Sequence, residues 1–200
     1  QQDLHRPPPL PRDVLVVNGG QHGIYQCIEL LLEPGDPIIT TQYAYTGLHS
    51  TVSIMRCRYR PRYIVGDLDD PTTAAVSVIT GVIALALLVQ FLYIIPTGSN
   101  PSGTVLPEER RREVYELACR YDFMILEDDP YMFLNYSGTQ VPSFLSMDTC
   151  GRVIRLDSIS KVVSAGLRGG WVTAPKPLLD RLELHSQAEL LHSCTLAQVR

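Results

Sequence analysis

Residues 91–126 constrain the fold more than any other stretch. Phe91-Leu92-Tyr93-Ile94-Ile95 is an unbroken apolar run of strand length, followed by a polar loop over 96–104. From Pro107, which suits a first helical turn, Val114, Leu117, Ala118 and Tyr121 recur on one helical face. A second apolar run, 123–126, follows. Strand, helix and strand at these lengths make a βαβ unit, with parallel strands and a right-handed crossover. Both strands then end at the same edge of the sheet. A polar cluster follows each of them, Pro96-Thr97-Gly98-Ser99-Asn100-Pro101 and Glu127-Asp128-Asp129-Pro130-Tyr131. A third cluster, Ser158-Ile159-Ser160-Lys161 with Gly166 and Arg168, follows the apolar run Val153–Leu156. In open α/β sheets, ligands bind in the crevice beyond such strand ends.

The rest of the chain fits one large α/β domain, or one domain with part of another, over 200 residues. Residues 1–12 read as an extended, proline-rich segment and 13–200 as the domain. Val14-Leu15-Val16-Val17 reads as a short buried strand, and Asn18-Gly19-Gly20-Gln21 turns into a helix carrying Ile24, Ile28 and Leu31. Pro37–Thr40 and Trp171–Ala174 read as further strands. Pro177–Leu191 reads as an amphipathic helix with Leu178, Leu182 and Leu190. The formal net charge of −4 and scattered basic residues point away from a nucleic-acid surface. The mixed run Glu108–Arg112 reads as a solvated helix face. Five cysteines, widely spaced and without a CxxC pair, fit neither a disulfide scaffold nor a zinc site. They place the chain in a reducing compartment, cytoplasm or mitochondrial matrix.

Residues 66–90 are the hardest to read. Ala74–Val89 is apolar and runs directly into the strand at 91, so Val76–Ile95 reaches the length of about 20 residues needed to cross a bilayer. A polar loop and a soluble amphipathic helix follow at once, and neither flank clusters Lys or Arg. These features favour a buried helix or strand feeding the core over a membrane span.

Chemistry concentrates in the three clusters. Lys161, flanked by Ser158 and Ser160 with Arg168 seven residues on, can hold an aldehyde cofactor and its phosphate together. Among Glu127, Asp128 and Asp129, side-chain alternation along an extended segment sets Asp128 on the opposite face from its neighbours. One inward acid with two outward acids fits a counter-ion for a protonated ring nitrogen better than a metal cage, and no metal site is assigned. Tyr131 and Asn100 can hydrogen-bond an exocyclic oxygen, and Tyr45 can stack on a planar heterocycle. Gly19-Gly20-Gln21 at a helix start offers backbone N–H groups to a phosphate, although the pattern is not GxGxxG.

In this order, these residues resemble the fold-type I pyridoxal-phosphate aminotransferases of class I/II, and most the kynurenine/α-aminoadipate branch. The likeness is dense over 98–103 (GSNPSG), 109–134, 141–168 and 174–182, about half of the chain, and weaker over 13–48. It implies a three-layer α/β/α domain with a mostly parallel sheet, the large domain of such an enzyme. It implies pyridoxal 5′-phosphate as cofactor, bonded through Lys161, which also carries the substrate's α-proton. Asp128 would pair with the ring nitrogen, and Tyr131 and Asn100 would hold the phenolic oxygen. Tyr45 would stack on the ring. Gly20, Gln21, Ser158, Ser160 and Arg168 would surround the phosphate. The reaction implied is ping-pong transfer of an amino group from an amino acid, aromatic or 2-aminoadipate-like, to a 2-oxo acid such as 2-oxoglutarate, in a homodimer.

The chain also departs from that pattern. Gly20 stands where this branch commonly has serine, and Gln42-Tyr43 replaces an acidic–proline pair. The apolar 66–90 segment replaces a polar one. The C-terminal small domain, with its arginine for the substrate carboxylate, has no counterpart, so the chain is expected to be a fragment. A lyase or decarboxylase on the same fold, or a non-catalytic remnant, is the alternative reading.

Overall fold

The computed structural model describes residues 2–41, 43–59, 91–136, 138 and 140–195. In chain order the elements are α1 (Gln2–His5), β1 (Arg12–Val17), α2 (Gly20–Leu31), β2 (Pro37–Ile39), α3 (Thr46–Ile54), β3 (Arg58–Tyr59) and β4 (Phe91–Ile94). There follow α4 (Glu108–Tyr121), β5 (Met124–Asp128), α5 (Phe144–Met147), β6 (Val153–Ser158), β7 (Gly170–Pro175) and α6 (Lys176–Leu190). The described strands form one sheet in the order β1-β7-β6-β5-β4-β2-β3. Neighbours from β6 through β5, β4 and β2 to β3 are parallel, whereas β7 is antiparallel to both β6 and β1. The sheet is therefore mostly parallel, with an antiparallel edge.

Alternation along the strands builds two cores. On β4, Phe91 and Tyr93, with Ile95 beyond, face α2, α3 and α6, where they join Ile24, Ile28, Leu48, Val52, Leu179 and Leu182. Leu92 and Ile94 face the other way, towards Val114, Leu117 and Ala118 of α4 and Phe144 and Leu145 of α5. A strand covered on both sides reads as one continuous apolar run, which is why 91–95 stands out in the sequence. Helices on both sides of the sheet make three layers. Each fully buried Leu, Ile or Phe here contributes roughly 1.5–3 kcal/mol.

Three local expectations need correction. β1 is an edge strand and not a buried one: Leu15 and Val17 turn to the core, but Val14 and Val16 are 46% and 41% exposed. Four successive apolar residues conceal that only one face is covered. The Glu108–Arg112 run is not wholly solvated either. Arg111 is completely buried, donating to the carbonyls of Leu106, Pro96 and Pro142 and to Thr97 Oγ1. On α6, Leu179 and Leu182 are buried, while Leu190 in the last turn is substantially exposed.

The apolar run 74–89 lies outside the described residues. Its continuation, Phe91–Ile94, is an interior strand paired to β2 and β5. Among the described residues, no helix is long and apolar enough to cross a membrane.

Candidate active site

The strand periodicity that builds the cores also assembles the site. Tyr93 pairs in register with Leu126, and Asp128 with Leu156. Tyr93, Leu126 and Leu156 belong to one core, so Asp128 and Ser158, two residues further along their strands, emerge on that same side. They open into a cavity of about 260 Å³ at the carboxyl edge of the sheet. Gly20, Gln21, Tyr45, Asp128, Tyr131, Ser158, Ser160, Lys161 and Arg168 all line it. Asn100 reaches it through Tyr131, whose hydroxyl accepts from its side-chain amide at 3.4 Å.

Asp128 is the electrostatic centre of this cavity. Burial raises its carboxyl to about 7, and the nearby Asp129 and Asp157 add to the effect. A hydrogen bond from the Tyr93 hydroxyl to Oδ2, 2.6 Å long, works in the opposite direction. The Tyr93 phenol is itself pushed well above the ordinary range, by burial first and by the carboxylate second. A cation brought to Asp128 would favour the ionised form.

The neighbouring acids lie on the opposite face, but they do not point outward to solvent. Glu127 and Asp129 are buried and pair with Arg155 at 3.0 and 3.3 Å, and Asp157 pairs with it at 2.9 Å. Glu127 also accepts the backbone N–H groups of Phe144 and Leu145 at the start of α5. These acids are occupied in holding the fold. Asp128 is left facing the cavity.

Beside Asp128 in the same cavity, three elements bring hydrogen-bond donors together. The turn before α2 is made by Gly19 at φ +84°, and the first N–H groups of a helix lack intrahelical acceptors. The Gln21 side chain is tied away to Gly47 O and Thr51 Oγ1, which leaves its backbone at the cavity wall. Ser158 Oγ donates to Ser160 Oγ at 2.9 Å. Arg168 folds back across the glycine turn and donates to Asn18 O at 3.0 Å. The positive φ of Gly19 disfavours any side chain there, and a Cβ would also sit 2.5 Å from the Arg168 guanidinium, which would have to shift. Helix N–H groups, hydroxyls and a guanidinium form a donor set that fits a phosphate.

Lys161 lines the same cavity, on the side of Tyr131. It lies in a π-type turn, Ser160–Ser164, and its ammonium nitrogen is 5.8 Å from the centroid of the Tyr131 ring. The cavity thus offers an amine, a buried carboxylate, a phenol and a phosphate cradle to one molecule. These residues fit pyridoxal phosphate.

The family model described as Aminotransferase class I and II matches residues 9–199. The chain belongs to that family. It is 37% identical to the mitochondrial kynurenine/alpha-aminoadipate aminotransferase of Rattus norvegicus, over all of this chain and 50% of that protein. The corresponding protein of Bos taurus is 38% identical, with the same coverage. Among solved structures, the kynurenine aminotransferase of Pyrococcus horikoshii, crystallised with PMP, superposes with a TM-score of 0.88 at 26% identity. That alignment covers 98% of this chain and 48% of the other. The chain spans about half the length of the curated relatives it matches.

Two residues of this candidate site escape a reading of the sequence. Tyr93 looks like one more apolar residue within a core strand, and only the strand register shows its hydroxyl on Asp128. Gly47 follows the capping residue Tyr45 at the start of α3. A Cβ there would come within 2.3 Å of the Tyr45 ring and 2.1 Å of Gln21 Oε1. The Tyr45-Thr46-Gly47 sequence gives no warning of this, because Gln21 lies on another helix.

Proposed function

We propose that this chain is the cofactor-holding part of a pyridoxal-phosphate aminotransferase that moves an amino group from an aromatic or 2-aminoadipate-type amino acid to a 2-oxo acid such as 2-oxoglutarate. The observation that carries this reading is the convergence of Lys161, Asp128 and the Gly19–Arg168 cradle on one cavity. The names of the mammalian relatives support the substrate class and a mitochondrial location.

When bound, pyridoxal phosphate supplies an aldehyde and an electron-accepting ring. The chain's own residues do the rest. Lys161 Nζ would hold the aldehyde and, when free, its amine would be the base that takes a proton from the substrate's α-carbon and returns it elsewhere. Asp128 Oδ keeps a proton on the ring nitrogen through a charge-assisted hydrogen bond, and Tyr93 holds that carboxylate in place and favours its charge. Tyr131 and Asn100, already hydrogen-bonded to each other, would hold the phenolic oxygen and so adjust the basicity of the Lys161 nitrogen. Tyr45, in the cavity wall, would pack against the ring and help keep water from it. Arg168, Ser158, Ser160 and the first turn of α2 fix the phosphate and the orientation of everything else. The homodimer implied by the resemblance belongs to this proposal, and sedimentation of the full chain tests it.

Borohydride reduction of the cofactor-loaded full chain should fix the cofactor to the peptide bearing Lys161. Release of one equivalent of 2-oxo acid from kynurenine or 2-aminoadipate, with no acceptor added, should accompany binding. A label on another lysine, or carbon dioxide released in place of the 2-oxo acid, would overturn the proposal.

A further inference from the structure

Away from the cavity, α4 and the turn before β6 bring two cysteines together. Cys119 lies in the last turn of α4 and is partly buried, and Cys150 is exposed in the turn 148–152. The two segments are tied at several points. Tyr115, one helical turn before Cys119, accepts the backbone N–H groups of Thr149 and Cys150 on its hydroxyl at 2.8 and 2.9 Å. The same hydroxyl donates to Asp148 at 3.1 Å. Arg152 pairs with Asp122, and Ile125 N–H donates to Arg152 O at 2.8 Å. Within this frame Cys119 lies one helical turn beyond the tyrosine that holds the Cys150 backbone, and the two thiols are close enough to shift each other's acidity. Thr149 Oγ1 lies 3.7 Å from the Cys150 sulfur.

The two thiols are chemically unlike. Hydrogen bonds from Thr149, Cys119 and Tyr115 make Cys150 more acidic than an ordinary thiol, while burial makes Cys119 less acidic. Cys150 is therefore an accessible sulfur whose neighbours favour its thiolate, and Cys119 is a more shielded neighbour. That is the arrangement of an attacking and a resolving thiol. By contrast, Cys27 and Cys57 are buried, and burial pushes the Cys27 thiol up to about 12.

We propose that Cys150 and Cys119 form an oxidant-reactive dithiol site whose co-substrate is a hydroperoxide. The Cys150 thiolate attacks one peroxide oxygen, the O–O bond breaks, and hydroxide or alkoxide leaves, giving a sulfenic acid at Cys150. The Cys119 sulfur then attacks the Cys150 sulfur, the S–O bond breaks, and water leaves with the Cys119 proton. The sulfur pair loses two electrons and the peroxide gains them. The resulting disulfide closes the segment 119–150, which contains β5 with Asp128 and, beyond it, Tyr131.

The test uses the full chain and hydrogen peroxide. Trypsin cuts after Arg120, so the two cysteines fall on separate peptides. Non-reducing peptide mapping should find them joined, with two of the chain's five thiols lost and both regained on reduction. In Cys119→Ser, dimedone should label Cys150 and leave Cys27 and Cys57 unlabelled. Cys150 driven to sulfinic acid with Cys119 still free in the unsubstituted chain would overturn the proposal. So would a bridge through another cysteine, or absence of the dimedone label.

Discussion

At the residue scale, the site depends on what surrounds Asp128. Its carboxyl titrates near 7 in the folded chain but near 3.9 when unfolded. Between these values the folded state holds a proton that the unfolded state has released, so this residue's contribution to stability falls as pH rises from about 4 to 7. Asp128→Asn should remove that slope, roughly 1.4 kcal/mol per pH unit, in urea denaturation across the window without added cofactor. His5, buried and lowered to about 4, contributes a slope of the opposite sign and should be unaffected by the substitution. Tyr93→Phe removes the hydroxyl donor while keeping the ring. Cofactor affinity should fall about five- to tenfold, because the carboxylate loses a hydrogen bond worth about 1 kcal/mol. Gly20→Ser should act in the other direction. The nearest atoms to a Cβ there are Ser158 Cβ at 3.9 Å and Asp128 Oδ1 at 4.0 Å, leaving room for a hydroxyl that could turn either to the phosphate or to the carboxylate. Cofactor titration should show binding tightened about tenfold or more if the hydroxyl turns to the phosphate, in line with one additional hydrogen bond to a charged group.

At the element scale, the cavity-lining residues come from strand tips and helix starts, which is why their meeting at one cavity was legible in the sequence. A polar cluster directly after an apolar run must lie at a strand end, and parallel strands place such ends together. Lys161, Asp128 and Tyr131 could be grouped on that ground alone. Alternation also separated Asp128 from Glu127 and Asp129. It could not show that Glu127 and Asp129 share a buried arginine, because Arg155 belongs to another strand. The same limit hid Gly47, which matters only because α3 packs beside α2. Gly47→Ala should displace the Tyr45 ring or Gln21. The expected result is weaker cofactor binding with little loss of global stability, read from cofactor titration beside thermal unfolding.

At the scale of the whole molecule, one buried ion cluster joins the sheet to the layer of α4 and α5. Arg155, with no exposed side-chain surface, meets Glu127, Asp129 and Asp157, and Arg111 lies close enough to be felt electrostatically. Arg155→Leu would leave three carboxylates buried together without their cation. Stability should drop by about 3–5 kcal/mol in denaturant unfolding, since an unpaired buried charge costs far more than the intact pair contributes. The sequence shows a solitary arginine in an apolar strand, which is a visible anomaly, but its partners are a property of the folded sheet. The fold class was legible because helical and strand periods alternate regularly from residue 91 onward. The edge position of β1 was not, since four apolar residues in a row look alike whether one or both faces are covered.

The central claim is that Asp128 and Lys161 grip opposite parts of one cofactor molecule. It is tested most directly by the ¹⁵N resonance of ring-labelled pyridoxal phosphate bound to the full chain at neutral pH, with and without Asp128→Asn. The expected result is a protonated ring nitrogen in the unsubstituted chain, an unprotonated one in the variant, and tethering to Lys161 in both. The same ring-nitrogen resonance in the two proteins would contradict the account.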